Sequence, residues 1–445
     1  MAAAARRAAI EKGKLRLAEV TALGIGGMIG GGIFAVLGLA IAVAGHAVAL
    51  TLAGGGVVAL LTGLSYAHLG LAFRNDGGSF TYIEKAFDAP AVAGIAGWLL
   101  VAGYVGTLAL YATAFGAYGA TLIGGLGARP LLMMALSALV LGGFLAVNLL
   151  GAKLSGGVEL GVVAIKLAIL ALFAAVGLMA AQRSHFLPVF NHGVVTPLVA
   201  LALIFVAYEG FELIPNAVDE MENPERNLRR AIVIAIVVAA AIYVAVALAA
   251  LGSLTPAQIR QDQEYVLAVA ARPLLGQAGF ALIGIAALLS TASAINATLF
   301  GAARLAMVMA EEHALPRVFS MRERTRPIPY VSLLVLTGLS LVFSLTASLA
   351  VISVFASATF LLIFTAVNLA ALRLARRIGL HPLLPLVGGV LTGASFAVLL
   401  WHTWTSDRAS LAWLVAFYAA AAALELALLW RRGPRKAAAA QPSMP

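Results

Sequence analysis

An all-α integral membrane protein with twelve transmembrane helices is the fold class this sequence predicts, and three observations predict it. The chain is 62% hydrophobic and 11% charged, where soluble domains carry roughly 25% charged residues, and its mean hydropathy is +1.01. Lysine, arginine, aspartate and glutamate are absent from 20–73, 89–128, 231–259, 273–303 and 327–372. A spanning helix needs about 20 apolar residues, so the longest of these runs hold two helices each. Finally, two of the apolar segments, five spans apart, are interrupted by glycine or proline.

Taken in order, residues 1–17 are basic and polar and run directly into an apolar segment, which predicts a cytoplasmic N-terminus without a cleavable signal peptide. Twelve spans follow, near 18–44, 47–73, 89–124, 130–150, 154–181, 195–219, 228–252, 274–311, 328–347, 350–374, 382–402 and 409–430. Spans 1 to 5 make a first five-helix repeat over 18–183 and spans 6 to 10 a second over 184–376. Helices 11 and 12 occupy 377–432, and 433–445 is a basic cytoplasmic tail suited to anionic lipid headgroups. Most of the 29 lysines and arginines fall on the side of the N-terminus, and the opposite loops keep only Arg129, Arg183, Arg260, Arg272 and Arg408. This asymmetry follows the positive-inside rule and puts both termini in the cytoplasm of a multi-pass plasma-membrane protein. It also accounts for the net charge of +10, so no nucleic-acid partner is expected. With no cysteine there are neither disulfides nor thiolate metal sites, and no pair among the seven histidines has metal-ligand spacing.

The first interruption is "GIGGMIGGGIF" at 24–34, six glycines in eleven residues in the middle of span 1. Glycine costs about 1 kcal/mol against alanine in a helix, so the concentration needs a reason. Gly26/Gly30 and Gly27/Gly31 have the GxxxG spacing of helix packing, and that reading stays open. Span 6 supplies a second reading. In "LALIFVAYEGFELIPNAVDEMENPERNLRRAI", 201–232, Gly210 and Pro215 interrupt an apolar run that also carries Glu209 and Glu212. Unwound backbone at membrane depth is tolerated where protein buries it or where it lines a cavity. Broken segments in corresponding positions of two halves point to a transporter binding site. The broken ends offer free N–H groups to a carboxylate and free C=O groups to a cation.

Charges inside spans are the other candidates. Lys166 lies about twelve residues into span 5, roughly 18 Å along the helix, near the middle of a core about 30 Å thick. A central lysine costs roughly 2.5–3.5 kcal/mol to insert, which makes it a functional candidate. A structural ion pair is the alternative, although Glu159, seven residues back, is expected to lie outside its direct reach. Glu209 has four readings: it binds the distal charge of a cationic substrate, carries a proton, stays neutral, or pairs with Lys166 or an arginine. Glu212 has a proton, gating or structural role. Arg304 in span 8 is a candidate partner for an acidic inner-gate residue.

At these residues the sequence resembles the amino acid permeases of the amino acid–polyamine–organocation superfamily, and among them the proton-coupled transporters. "GGMIGGGIF" is similar to the family's glycine-rich substrate loop. "FVAYEGFELIPNAVDEMENPERNLRRAI" is similar to its span 6 and the cytoplasmic helix start that follows. "SAINATLFGAARLAMVMAEEHALPRVF", 293–319, resembles its span 8. The resemblance implies a 5+5 inverted-repeat core with helices 1 and 6 broken, plus two C-terminal helices. It places the substrate α-carboxylate on the N–H groups of Gly30, Gly31 and Gly32. The α-ammonium then meets carbonyls near Met28 and from Phe205 through Ala207 to Tyr208, and the side-chain pocket is shaped by Tyr208, Glu209, Phe211 and Tyr104. Sodium-coupled relatives hold a cation between spans 1, 5 and 8, where proton-coupled members place a lysine ammonium. By that resemblance Lys166 bridges a carbonyl around Gly26 and a hydroxyl of Thr291 or Ser293, and Glu212 matches an acidic position of some members.

The expected function is secondary active, proton-coupled symport of neutral amino acids by alternating access. Its alternative is exchange or import of cationic amino acids or polyamines. The expected partners are the amino acid substrate and membrane lipid; neither a cofactor beyond the proton gradient nor an obligate protein partner is expected. No convergent nucleophile–base set is visible, which argues against an intramembrane enzyme, while a channel or a non-transporting sensor on the same fold stays open.

Overall fold

The computed structural model describes residues 14–74, 77–126, 129–151, 156–181, 183–323 and 328–432. The start of the basic N-terminal segment and the predicted tail, 433–445, lie outside the described residues. Among the described residues every regular element is helical, apart from an isolated bridge between Leu15 and Met221.

Helix α1, Leu17–Met28, opens where the Glu19 carboxylate accepts the Arg16 backbone N–H at 2.8 Å. That contact satisfies an orphan donor and places negative charge at the positive end of the helix. The chain leaves the helix at Ile29 and resumes it as α2, Gly32–Ala44. This is the predicted break in span 1. Helix α2 ends at Gly45, whose φ of +58° suits glycine, and a short turn leads to α3, Val48–Ala72. Because that turn is itself helical, Gly32–Ala72 reads as one continuous apolar run of 41 residues.

Helix α4, Gly78–Phe87, falls between the predicted spans that end at 73 and begin at 89; it buries Phe80, Tyr82 and Ile83. Then come α5, Pro90–Gly124, α6, Pro130–Leu149, and α7, Gly156–Ala180. Helix α8 covers only Thr196–Ile204 before the chain tightens into 3-10 turns at Phe205–Leu213 and Pro215–Glu220. The predicted interruption of span 6 therefore begins five residues before Gly210. The remaining helices are α9, Pro224–Leu251, α10, Pro256–Gln261, α11, Val266–Glu311, α12, Tyr330–Thr346, α13, Leu349–Leu374, α14, Leu383–Ser406, and α15, Arg408–Arg432. Non-helical Gly276 kinks α11, so its membrane part starts close to the predicted 274. By length and composition, ten helical runs among the described residues can cross a membrane, and Leu17–Met28 and Tyr330–Thr346 are shorter apolar helices.

The two broken elements form the centre. Helix α1 packs on the 3-10 segment Phe205–Leu213, on α7 and on α9, while α2 packs on α8. Helix α5 runs alongside α11 and α13. The periphery presents large apolar side chains outward, including Leu131 and Leu139 of α6, Ile165 and Met179 of α7, Trp401 of α14 and Trp413 of α15. Such a surface suits lipid tails, since soluble monomers rarely carry large contiguous apolar patches. The backbones of α1 and the 3-10 segment touch: a Cβ on Gly210 would stand 2.3 Å from the carbonyl carbon of Gly27. Below them the chain before α1 pairs with the chain after the second break, Leu15 N–H donating to Glu220 O at 2.7 Å and Glu222 N–H to Leu15 O at 2.9 Å.

Candidate functional site

The end of α1 leaves carbonyls that no helical N–H can reach. Three successive ones are taken by side chains from three different helices. Lys166 Nζ of α7 donates to Gly26 O at 3.3 Å, the Tyr111 hydroxyl of α5 to Gly27 O at 3.3 Å, and the Tyr243 hydroxyl of α9 to Met28 O at 2.5 Å. The same Tyr243 oxygen lies 2.8 Å from Ala207 O in the second break. One hydroxyl has one proton, so it satisfies one of these carbonyls at a time. The two breaks thus aim carbonyls from Met28 and Ala207 at a single point, the kind of convergence that attracts an ammonium group. On the opposite side of the first break Gly31 is the N-cap of α2, whose first-turn N–H groups are orphan donors. The Tyr111 ring covers it so closely that a Cβ on Gly31 would fall 2.0 Å from a ring carbon.

Serines of α13 hold the second break open. Ser353 and Ser357 donate to Leu203 O at 2.7 and 2.8 Å, and Ser357 Oγ accepts the Val206 N–H at 3.1 Å. These bonds replace the helical ladder just where α8 stops. Glu209 is buried in this segment, its carboxylate accepting from the Thr107 hydroxyl of α5 at 2.7 Å; no ion pair with Lys166 forms. Glu212 is equally buried. It accepts from the Tyr66 hydroxyl at 3.2 Å, while its other oxygen has no hydrogen-bond partner.

The aromatic residues divide. Phe211 stacks edge-on against Tyr66 and near Phe364, and Tyr104 edge-on against Phe360. Phe205 and Tyr208 pack together, and the Tyr208 hydroxyl points to Leu52 O of α3 at 2.6 Å. So of the residues predicted at the site, Met28, Gly30, Gly31, Gly32, Ala207 and Glu209 gather round the two breaks. Phe205, Tyr208 and Phe211 line the packing behind them.

At the lysine, the contact with Gly26 is present, but the predicted hydroxyls have other partners. Thr291 donates to Ala287 O of its own helix at 2.7 Å, and Ser293 donates to both oxygens of Glu159, at 2.9 and 3.0 Å. Glu159 stays outside the direct reach of Lys166, as expected. It forms no ion pair with Lys166, yet its carboxylate presses on Gly26, where a Cβ would be 2.3 Å from Oε1. Missing that Cβ, Gly26 admits the carboxylate. Arg304 lies over the Phe300 ring at 5.2 Å, with no acidic partner among the described residues. Sequence reasoning missed Thr107, Tyr111, Tyr243, Ser353 and Ser357. Tyr104, Thr107 and Tyr111 follow helical spacing on α5, a pattern that could have flagged that face.

An amino acid permease family model matches residues 15–426. The chain belongs to the amino acid permease family. It is 30% identical over 407 residues to the inner membrane transport protein YbaT of Escherichia coli (strain K12), covering 90% of this chain and 93% of that protein. It is also 26% identical over 337 residues to the branched-chain amino acid permease BcaP of Bacillus subtilis (strain 168), 72% of each. Its fold matches that of a manganese transporter of Eremococcus coleocola with a TM-score of 0.61, 12% identity and 93% coverage of both chains. The permease is therefore a multi-pass membrane transport protein rather than an enzyme.

Proposed function

We propose that this permease is a secondary active symporter that drives neutral amino acids with protons, in the plasma membrane with both termini cytoplasmic. The observation that carries this reading is the fully buried Lys166 ammonium on Gly26 O, two residues before the Met28 carbonyl at the break. Protonated, the lysine ties the end of α1 to α7; neutral, it loses most of its pull on that carbonyl. The end of α1 also carries the carbonyls offered to the substrate ammonium, so proton and substrate act on one element. Each then changes the affinity for the other by the same factor.

In this reading the substrate carboxylate sits on the N–H groups of Gly30–Gly32 and its ammonium replaces the Tyr243 hydroxyl at Met28 O and Ala207 O. Residues 18–183 and 184–376 act as two five-helix inverted repeats that rock about the breaks, in a twelve-span molecule with 377–432 outside the core. The proposal requires no cofactor beyond the gradient and no obligate protein partner. A neutral side chain is favoured by the likeness to BcaP, a branched-chain amino acid permease. Glu209 motivates the second reading, a cationic amino acid or polyamine, because a buried carboxylate in the unwound segment has Thr107 as its bonded partner.

Uptake of a radiolabelled amino acid panel into proteoliposomes decides between them. Proton-stimulated, sodium-independent accumulation of neutral amino acids is expected, with Lys166→Ala abolishing the response to the gradient. Uptake limited to lysine, arginine or putrescine would favour the second reading. Gradient-driven accumulation by Lys166→Ala would end the coupling proposal.

A further inference from the structure

We propose that Glu159 is the inner proton acceptor of Lys166, the carboxylate through which the coupling proton passes between the buried lysine and the water at the α6–α7 end of the molecule. The inference rests on the reading of Lys166 as the coupling group. Lys166 is 0% exposed, so its proton needs an acceptor on the way to water. Gly26 stands between the two groups: its carbonyl receives the ammonium and its bare Cα touches the carboxylate. The residues are two turns apart on one face of α7, about 10 Å between their Cα atoms, and the long lysine side chain leans toward the helix start and shortens that gap.

Glu159 has the features of a proton port. It lies in the first turn of α7, where free N–H groups favour a carboxylate, and it is half-buried where Lys166 is closed off. A single Ser293 proton is shared by its two oxygens, which leaves lone pairs for a further donor. One turn on from Ser293, Asn296 accepts from Asn148 of α6 at 3.0 Å. A second polar pair thus lies one turn nearer the end where α6 finishes and α7 begins.

The charged and titratable groups on the helices packed against α7 are engaged elsewhere or remote. Tyr243 of α9 is at Met28 O, Glu19 of α1 caps its own helix, Arg304 of α11 lies on Phe300, and Glu311 of α11 pairs with Arg322. Glu225 of α9 pairs with Arg74, and Arg226, Arg229 and Arg230 of α9 and Arg272 of α11 make no ion pair with Glu159 among the described residues. In the relay one water bridges the two side chains, which do not pair directly: an N–H bond of the Lys166 ammonium breaks as the water takes that proton and passes one of its own to Glu159, where an O–H bond forms, giving a neutral amine and a neutral acid. The acid then releases its proton to inner water. The amine, now uncharged, lets go of Gly26.

The test uses full-length protein in proteoliposomes with an equimolar mixture of the twenty radiolabelled amino acids and an internal pH dye. Glu159→Gln is expected to slow substrate-linked proton entry by about a hundredfold, the lower end for a positioned proton-transfer group, and to flatten its dependence on internal pH. Glu159→Asp is expected to restore much of both. Exchange against internal amino acids, measured in the same vesicles, reports whether the variant is folded. Wild-type proton entry and internal-pH profile in Glu159→Gln, with coupling lost in Lys166→Ala, would overturn the relay and leave the lysine reading standing. A wild type that moves no protons with substrate would overturn both.

Discussion

Tyr243 stands at the point where the two breaks meet, and its single hydroxyl proton serves both Met28 O and Ala207 O. Tyr243→Phe removes the one proton these two carbonyls share, at about 1–3 kcal/mol for the carbonyl left without it. The variant is expected to melt earlier without substrate and to gain more from saturating substrate than the wild type does. A thermal-shift titration in detergent measures both, and an unchanged substrate-free melting temperature would refute the role. Sequence reasoning pointed to the two carbonyls but not to the tyrosine. A tyrosine in an apolar helix looks like any core aromatic until its hydroxyl finds a partner 215 residues away in the chain. The same holds for Tyr111. Lys166 and Glu209 were legible because a charge within an apolar run has a large insertion cost whatever surrounds it.

At the scale of elements, the glycines of the broken span 1 serve more neighbours than the packing or ligand reading alone supposes. Gly26 admits a carboxylate, Gly27 the backbone at Gly210, and Gly31 the Tyr111 ring. Gly210→Ala places a methyl group against backbone that has no side chain to move aside. It is expected to cost about 1–3 kcal/mol or more in stability and to abolish uptake, while Gly142→Ala, with open space around it on α6, leaves both unchanged. Melting curves and uptake rates of the two variants check this, and a fully active Gly210→Ala would refute the close approach. The second break also shows how an element boundary is decided from outside. Gly210 and Pro215 announce a weak helix, but the helical ladder ends earlier, where Ser353 and Ser357 take Leu203 O and the Val206 N–H. Helix α4 is not legible in the sequence because it is short and partly polar, its buried face answering to packing on α5 and α13.

For the whole molecule, the distribution of lysine and arginine predicts which ends face the cytoplasm. The chain contains no cysteine, so a single introduced thiol reports its own side. Ser320→Cys, after α11, is expected to react with an impermeant maleimide only when the cytoplasmic face is open to the reagent. Ser253→Cys, after α9, is expected to react from outside intact cells; the reverse pattern would invert the proposed topology. At this scale the fold tolerates wide sequence change: 12% identity accompanies a match over 93% of both chains. Helices in a bilayer need only apolar outward faces and internally paired backbone.

The sequence by itself determined that the chain crosses the membrane many times, that two segments break, and that a lysine lies at membrane depth. These properties are local in the chain, set by runs of apolar residues, by glycine and proline, and by the cost of burying charge. Only the tertiary structure decided who meets whom at the breaks: Tyr111, Tyr243 and Lys166 on three successive carbonyls, Thr107 on Glu209, and Glu159 against Gly26. Free carbonyls at a broken helix must find donors, but several helices can supply them. The choice depends on which side chains the packing of distant segments brings within about 3 Å.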